Sequence, residues 1–85
     1  SIPPLTEERR HELVRVVKNR AEEGRVAVRN VRRDTQNDLR EFEREKMISE
    51  DELKRGEDDL QKLTDQHIDQ INEIGERKET EVLEG

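Results

Sequence analysis

The chain has 85 residues, of which 47% are charged and 27% hydrophobic, and its formal net charge at pH 7 is −6. A chain of this length forms at most one small domain, and the absence of cysteine excludes a disulfide framework and fits a reducing interior. No apolar run approaches the length that a membrane-spanning helix needs.

Residues 1–5 form the first predicted segment, which we expect to be extended and hinge-like because its two consecutive prolines disfavour helix. Thr6 then supplies an N-cap oxygen, and the two glutamates after it complement the positive end of a helix dipole. The chain starts at Ser1 without an initiator Met or a targeting segment, so we expect a fragment or a trimmed start.

A first long helix is predicted over residues 6–46, where apolar or small residues recur at every third or fourth position. These positions are Leu13, Val17, Ala21, Gly24, Val28, Val31, Thr35, Leu39 and Phe42. Glycine inside a helix costs up to about 1 kcal/mol relative to alanine. We therefore expect another helix to approach the backbone of Gly24 closely.

A turn is predicted at residues 47–49, followed by a second long helix over 50–83. Ser49 and Glu52 have the spacing of a capping box. The apolar side of this helix consists of Leu53, Gly56, Leu60, Leu63, His67, Ile68, Ile71, Ile74 and Val82. A turn this short folds the two helices into an antiparallel hairpin.

Both apolar seams are wider than the two positions per heptad of a coiled coil. Val14 and Val16 flank the first seam, and Thr64 and Ile68 widen the second. Two such helices cannot cover each other, so the sequence predicts an all-α fold in which one domain, residues 1–85, supplies two helices of a three-helix bundle. The third helix could come from a second copy of the chain or from a part of the same protein that is absent here.

Charge is distributed unevenly between the two helices. Residues 1–46 carry 12 basic and 10 acidic side chains, whereas residues 47–85 carry 5 basic and 13 acidic side chains. Eight basic residues of the first helix fall within about 120° of one another when the chain is wound at 3.6 residues per turn. This arginine strip consists of Arg15, Lys18, Arg25, Arg29, Arg32, Arg33, Arg40 and Arg44.

Two interpretations of the arginine strip stay open, a solvated or protein-binding face and an RNA-binding face. A solvated face would place opposite charges four residues apart, whereas Arg25, Arg29 and Arg33 repel one another. The first helix also has 10 arginines and 2 lysines, and the guanidinium fork binds phosphate in a bidentate way. Structured RNA is therefore the ligand that the arginines suggest, although the residues alone give somewhat more weight to a solvated or protein-binding face. We predict that the four arginines of residues 25–33 face outward.

No catalytic or metal site is predicted. Glu8 and His11 match half of a di-iron motif, but both point away from the apolar seam. His67 is expected to be a boundary residue of the second seam, and the carboxylates lack a pocket that would raise the pKa of one of them. We expect no enzymatic activity, no cofactor and no small-molecule substrate.

Four segments resemble the bacterial ribosome recycling factor family. They are IPPLTEERR at 2–10, AEEGRVAVRNVRRD at 21–34, ISEDE at 48–52 and DDLQKLTD at 58–65. The likeness covers essentially the whole chain. It implies that the chain is similar to the second and third helices of a bundle that forms the long arm of an L-shaped, tRNA-like molecule. It also implies that the family's first helix and inserted β-rich domain are missing here.

The resemblance further implies a cytoplasmic function. Members of this family work with elongation factor G after termination, when the ribosome is split, and they are not enzymes, because their partner hydrolyses the GTP. The bundle is expected to lie on the large ribosomal subunit, with the arginine-rich helix against ribosomal RNA. The alternative from another class is a coiled-coil module that self-associates without binding RNA.

Residue roles follow from the same comparison of motifs. Arg25, Arg29, Arg32 and Arg33 match the arginine-rich helix of the family, and Arg29 is the leading candidate for an RNA contact. The arginine strip adds Arg15, Lys18 and Arg40 as candidate RNA contacts. Ile2, Pro3, Pro4 and Leu5 match the hinge side of the family's domain junction.

Overall fold

The computed structural model describes residues 6–85 as two long helices joined by a turn. Helix α1 spans Glu7–Arg44 and helix α2 spans Glu50–Glu84, within principal extents of 66 × 17 × 15 Å. The predicted all-α helical hairpin is confirmed. The predicted hinge-like segment, residues 1–5, lies outside the described residues.

Both helices begin at the caps that the sequence predicts. The Thr6 hydroxyl accepts a hydrogen bond from the Arg9 N–H at 3.1 Å. The Ser49 hydroxyl accepts one from the Glu52 N–H at 3.1 Å, and the Glu52 carboxylate accepts one from the Ser49 N–H at 3.0 Å, which completes the capping box. The hydrogen bond from the Ser49 backbone, and then that with its side chain, holds the pKa of the Glu52 carboxyl below its ordinary value.

Helix α1 ends at Arg44, before the predicted end at residue 46, because the chain turns into the left-handed region. Lys46 has φ 62°, a conformation that costs a non-glycine residue about 1–2 kcal/mol. The Lys46 N–H donates to the Glu43 carbonyl at 2.9 Å, and the Met47 N–H donates to the Phe42 carbonyl at 2.8 Å. These are the two hydrogen bonds of a Schellman motif, and they satisfy carbonyls that the helix end leaves open.

The two helices approach each other closely at small residues. A Cβ atom added to Gly24 would lie 3.4 Å from Ile71 Cδ1, and one added to Gly75 would lie 3.6 Å from Ala21 Cβ. The predicted close approach of another helix to Gly24 is therefore confirmed, and that helix is α2.

One side of the hairpin is apolar and uncovered, and we call it the open face. Its grooves run between α1 and α2, with Val16, Val17 and Ile74 in one and Val28, Val31 and Leu63 in the other. Within residues 6–85 no apolar side chain is buried, and Val31, Leu63 and Ile74 are 64%, 52% and 53% exposed. The described hairpin thus has no closed core, in agreement with the expectation that two such helices cannot cover each other. Neither α1 nor α2 has a stretch apolar enough to cross a membrane.

Replacing Lys46 by glycine is expected to stabilise the hairpin by about 0.5–1 kcal/mol, because glycine adopts the left-handed conformation without a steric cost. Thermal unfolding followed by circular dichroism measures this change. Lys54→Gly, at an exposed position inside α2, is the matched control and should destabilise by about 1 kcal/mol. A loss of stability in Lys46→Gly would contradict the role given to the left-handed residue.

Acid is expected to weaken the start of α2 through Glu52. Because its pKa is lowered in the folded chain, the stabilisation is fully present above the unfolded pKa and is lost as pH falls through the folded pKa. Glu52→Gln keeps an acceptor oxygen but does not titrate. Urea unfolding over a pH series should therefore give the wild type a higher free energy of unfolding than Glu52→Gln at neutral pH. The difference in free energy between the two chains should shrink as the pH falls. A difference that does not change with pH would refute this role of Glu52.

Candidate nucleic-acid interface

The arginine strip, predicted as one outward-facing surface, divides into two rows in the structure, apart from Arg44, which pairs with Glu41 of its own helix. Four of its side chains reach polar partners on α2, and we call these pairs the inter-helix ladder. The pairs are Lys18 with Glu79 at 3.7 Å, Arg25 with Asn72 at 2.7 Å, Arg32 with Gln61 at 3.1 Å and Arg40 with Glu57 at 3.6 Å. A second group, the outer row, consists of Arg15, Arg29 and Arg33 and lies exposed on α1.

The inter-helix ladder keeps one antiparallel register along the hairpin. The step from Lys18 to Arg25 is seven residues forward on α1, and the matching step from Glu79 to Asn72 is seven residues back on α2. The steps from residue 25 to 40 and from 72 to 57 are likewise equal. Three pairs therefore share one register of α1 against α2.

Arg25 and Arg32 do not face outward as predicted. The Arg25 side chain is only 23% exposed, and it also donates to the Glu22 carboxylate at 2.9 Å and 3.2 Å. Arg32 is half-buried, and its Nε atom is buried without a hydrogen-bond partner in the described chain. The prediction was wrong because helical periodicity gives the side of a helix on which a residue lies, not the direction in which a long side chain bends toward a neighbouring helix.

The outer row provides the guanidinium groups that are accessible to a ligand. Within residues 6–85, Arg15 and Arg29 are exposed and make no hydrogen bond or ion pair. Arg33 is 62% exposed, and its contact is Asp34, the next residue, at 3.6 Å. An exposed ion pair of this kind contributes little, so Arg33 also remains available to an anion.

The distribution of charge favours the approach of a polyanion to α1. The segment that contains α2, residues 47–85, carries 13 acidic against 5 basic side chains. On α1 itself, Glu22 is paired with Arg25 at 2.9 Å. Such a field repels phosphates from α2 and attracts them to the outer row.

The predicted di-iron half-motif and His67 can be placed in the part of the chain that the structure describes. There, no group of three or more His, Cys, Asp or Glu side chains could hold a metal ion. His11 lies 3.9 Å from Glu7 rather than beside Glu8, and His67 Nδ1 lies 3.3 Å from Gln70 Oε1. The sequence did not predict that Asn72 and Gln61 are the partners of Arg25 and Arg32 on α2. The regular spacing of the basic residues on α1 is the one pattern that could have indicated such partners.

Comparison with known proteins shows which family and which relatives this chain is similar to. Residues 1–83 match the family described as Ribosome recycling factor. The chain is 59% identical over 83 residues to the ribosome-recycling factor of Syntrophomonas wolfei, and 54% identical over 83 residues to that of Carboxydothermus hydrogenoformans. It is also 54% identical over 84 residues to that of Bacillus velezensis. These alignments cover 98–99% of this chain but 45% of each relative, so the chain spans less than half the length of the curated relatives that it matches.

The division of the arginine strip predicts that two alanine substitutions one turn apart change stability by different amounts. Arg25→Ala removes hydrogen bonds to Asn72 and Glu22 and should lower the free energy of unfolding by about 1 kcal/mol. Arg29→Ala removes no contact and relieves repulsion from its arginine neighbours, so stability should stay within about 0.5 kcal/mol of wild type. Urea unfolding followed by circular dichroism tests this, and equal losses would refute the division into ladder and outer row.

Proposed function

The chain belongs to the ribosome recycling factor family, and we propose that it acts in ribosome recycling by binding the RNA of the large ribosomal subunit through the outer row of α1. The observation that carries the proposal is the unpaired, exposed guanidinium of Arg29, in a segment, residues 25–33, that contains no acid. Arginine is suited to this role because its planar fork matches the oxygens of a phosphate.

The proposed binding mode depends on a straight and correctly oriented α1. From residue 15 to residue 33 the outer row extends over about 27 Å of helix, so it can span several phosphates along an RNA backbone. The inter-helix ladder holds this helix against α2 while the outer row remains accessible. In recycling the chain would act in the cytoplasm with elongation factor G, which supplies the GTP hydrolysis.

The RNA-binding roles predicted for the ladder residues stay predictions. A phosphate could reach Lys18, Arg25, Arg32 or Arg40 only by sharing or replacing their partners on α2. The outer row needs no such rearrangement, so we give Arg29 and Arg33 priority as phosphate contacts.

The open face favours a second candidate function, a self-associating coiled-coil module that does not bind RNA. Uncovered apolar grooves of this kind pair readily with another amphipathic helix. Sedimentation distinguishes the two candidates, since a stable dimer indifferent to RNA would support the module, whereas a monomer that binds ribosomal subunits would support the translation factor.

Binding of the protein to large ribosomal subunits is expected to weaken steeply as salt rises, because each neutralised phosphate releases counterions. Arg29→Ala should weaken binding and reduce the slope of log K against log[salt] by roughly 0.7–0.9, the value for one phosphate contact. Arg77→Ala, which removes an exposed arginine of α2, is the matched control and should change neither quantity. Salt-independent binding, or a wild-type slope in Arg29→Ala, would overturn the proposal.

A further inference from the structure

Asparagine is concentrated on α1, where helix stability alone does not favour it. Three of the four asparagines of the chain, Asn19, Asn30 and Asn37, lie in this helix. Asparagine is roughly 0.5–0.7 kcal/mol less favourable than alanine inside a helix, whereas glutamate, lysine and glutamine solvate a surface at less cost. Asn30 and Asn37 are exposed, and neither side chain has a hydrogen-bond partner in residues 6–85. Neither capping nor packing between the helices therefore explains them.

Asn30 and Asn37 lie beside the outer row. Arg33 follows Asn30 by three positions and precedes Asn37 by four, so the three side chains share one side of α1. Val26, four positions before Asn30, lies on the same side and is 45% exposed. With Arg29 these residues form a surface about 16 Å long, from residue 26 to residue 37, which we call the asparagine patch.

The amides of this patch add a chemistry that arginine lacks. Arginine only donates hydrogen bonds and so suits phosphate, whereas an asparagine side chain both donates and accepts. The ribose 2′-hydroxyl also donates and accepts, and the wide, shallow minor groove of an RNA helix displays it together with the base edges. An exposed apolar residue such as Val26 is compatible with a partner that excludes water from this surface.

We infer that Asn30 and Asn37 are specificity-determining residues, which hydrogen-bond ribose hydroxyls and base edges in an RNA minor groove while Arg29 and Arg33 bind the flanking phosphates. The inference rests on the proposed function and deepens it. It identifies the ligand of the asparagine patch as the minor groove of structured RNA rather than as any polyanion.

The test is binding of the double variant Asn30→Ala/Asn37→Ala to large ribosomal subunits over a salt series. We expect affinity to fall about fivefold for each asparagine, the effect of one neutral hydrogen bond. The slope of log K against log[salt] should stay at the wild-type value, because neutral side chains release no counterions. Alanine is the better helix former, so unfolding of α1 would not account for weaker binding.

Asn19→Ala is the matched control. It changes the same residue type in the same helix, but Asn19 lies outside the asparagine patch, about 16 Å before Asn30 along the helix, and the variant should bind as the wild type does. Wild-type affinity in the double variant, a reduced salt slope, or an equal loss in Asn19→Ala would each overturn the inference. Salt-independent binding by the wild type would instead overturn the proposed function, so the two failures are distinguishable.

Hydroxyl-radical cleavage of the RNA in the bound subunit tests the assigned contact directly, because it depends on the solvent exposure of each ribose in paired as well as unpaired RNA. Nucleotides that the wild type protects should regain reactivity with the double variant at protein concentrations that saturate the subunit, and should stay protected with Asn19→Ala. Unchanged protection with the double variant would overturn the contact to ribose.

Discussion

The register of α1 against α2 is the constraint on which the rest of this structure depends. Within residues 6–85 no apolar side chain is buried, so a closed hydrophobic core does not set that register. Directional and close contacts hold it instead: the hydrogen bond of Arg25 with Asn72 tolerates little sliding, and Gly75 lies against Ala21, where an added Cβ would be in contact at 3.6 Å. The hairpin is thus positioned by polar pairs on one side and small residues at its centre.

The inter-helix ladder also explains how an acidic chain can present a basic surface. Acidic and amide groups of α2, including Glu57 and Glu79, engage the basic residues that lean toward α2. Arg29 and Arg33 make no hydrogen bond or ion pair with α2 and keep their charge available. The net charge of −6 is therefore a poor guide to binding, because the excess of acid belongs to α2 and the outer row of arginines belongs to α1.

Local features of the sequence predicted the fold well, and features that depend on the second helix were predicted poorly. The caps at Thr6 and Ser49 and the long helices follow from patterns a few residues apart, which act before any tertiary contact forms. The position of Arg25 between the helices depends on which α2 residue lies opposite, and that register is not visible in α1 alone. The sequence did not predict that α1 ends before Lys46, because the left-handed residue that ends a helix is usually glycine and not lysine.

Packing and binding can coexist on α1 because they use different sides of the helix. Val31, on the open face, and Arg33, in the outer row, are two positions apart and therefore about 160° apart around the axis. A third helix, which the wide apolar seams predict, can cover the grooves without covering the outer row or Asn37. Burial of the open face would then add the hydrophobic stabilisation that the hairpin lacks, and it would hold the inter-helix ladder in place beneath an accessible RNA-binding surface.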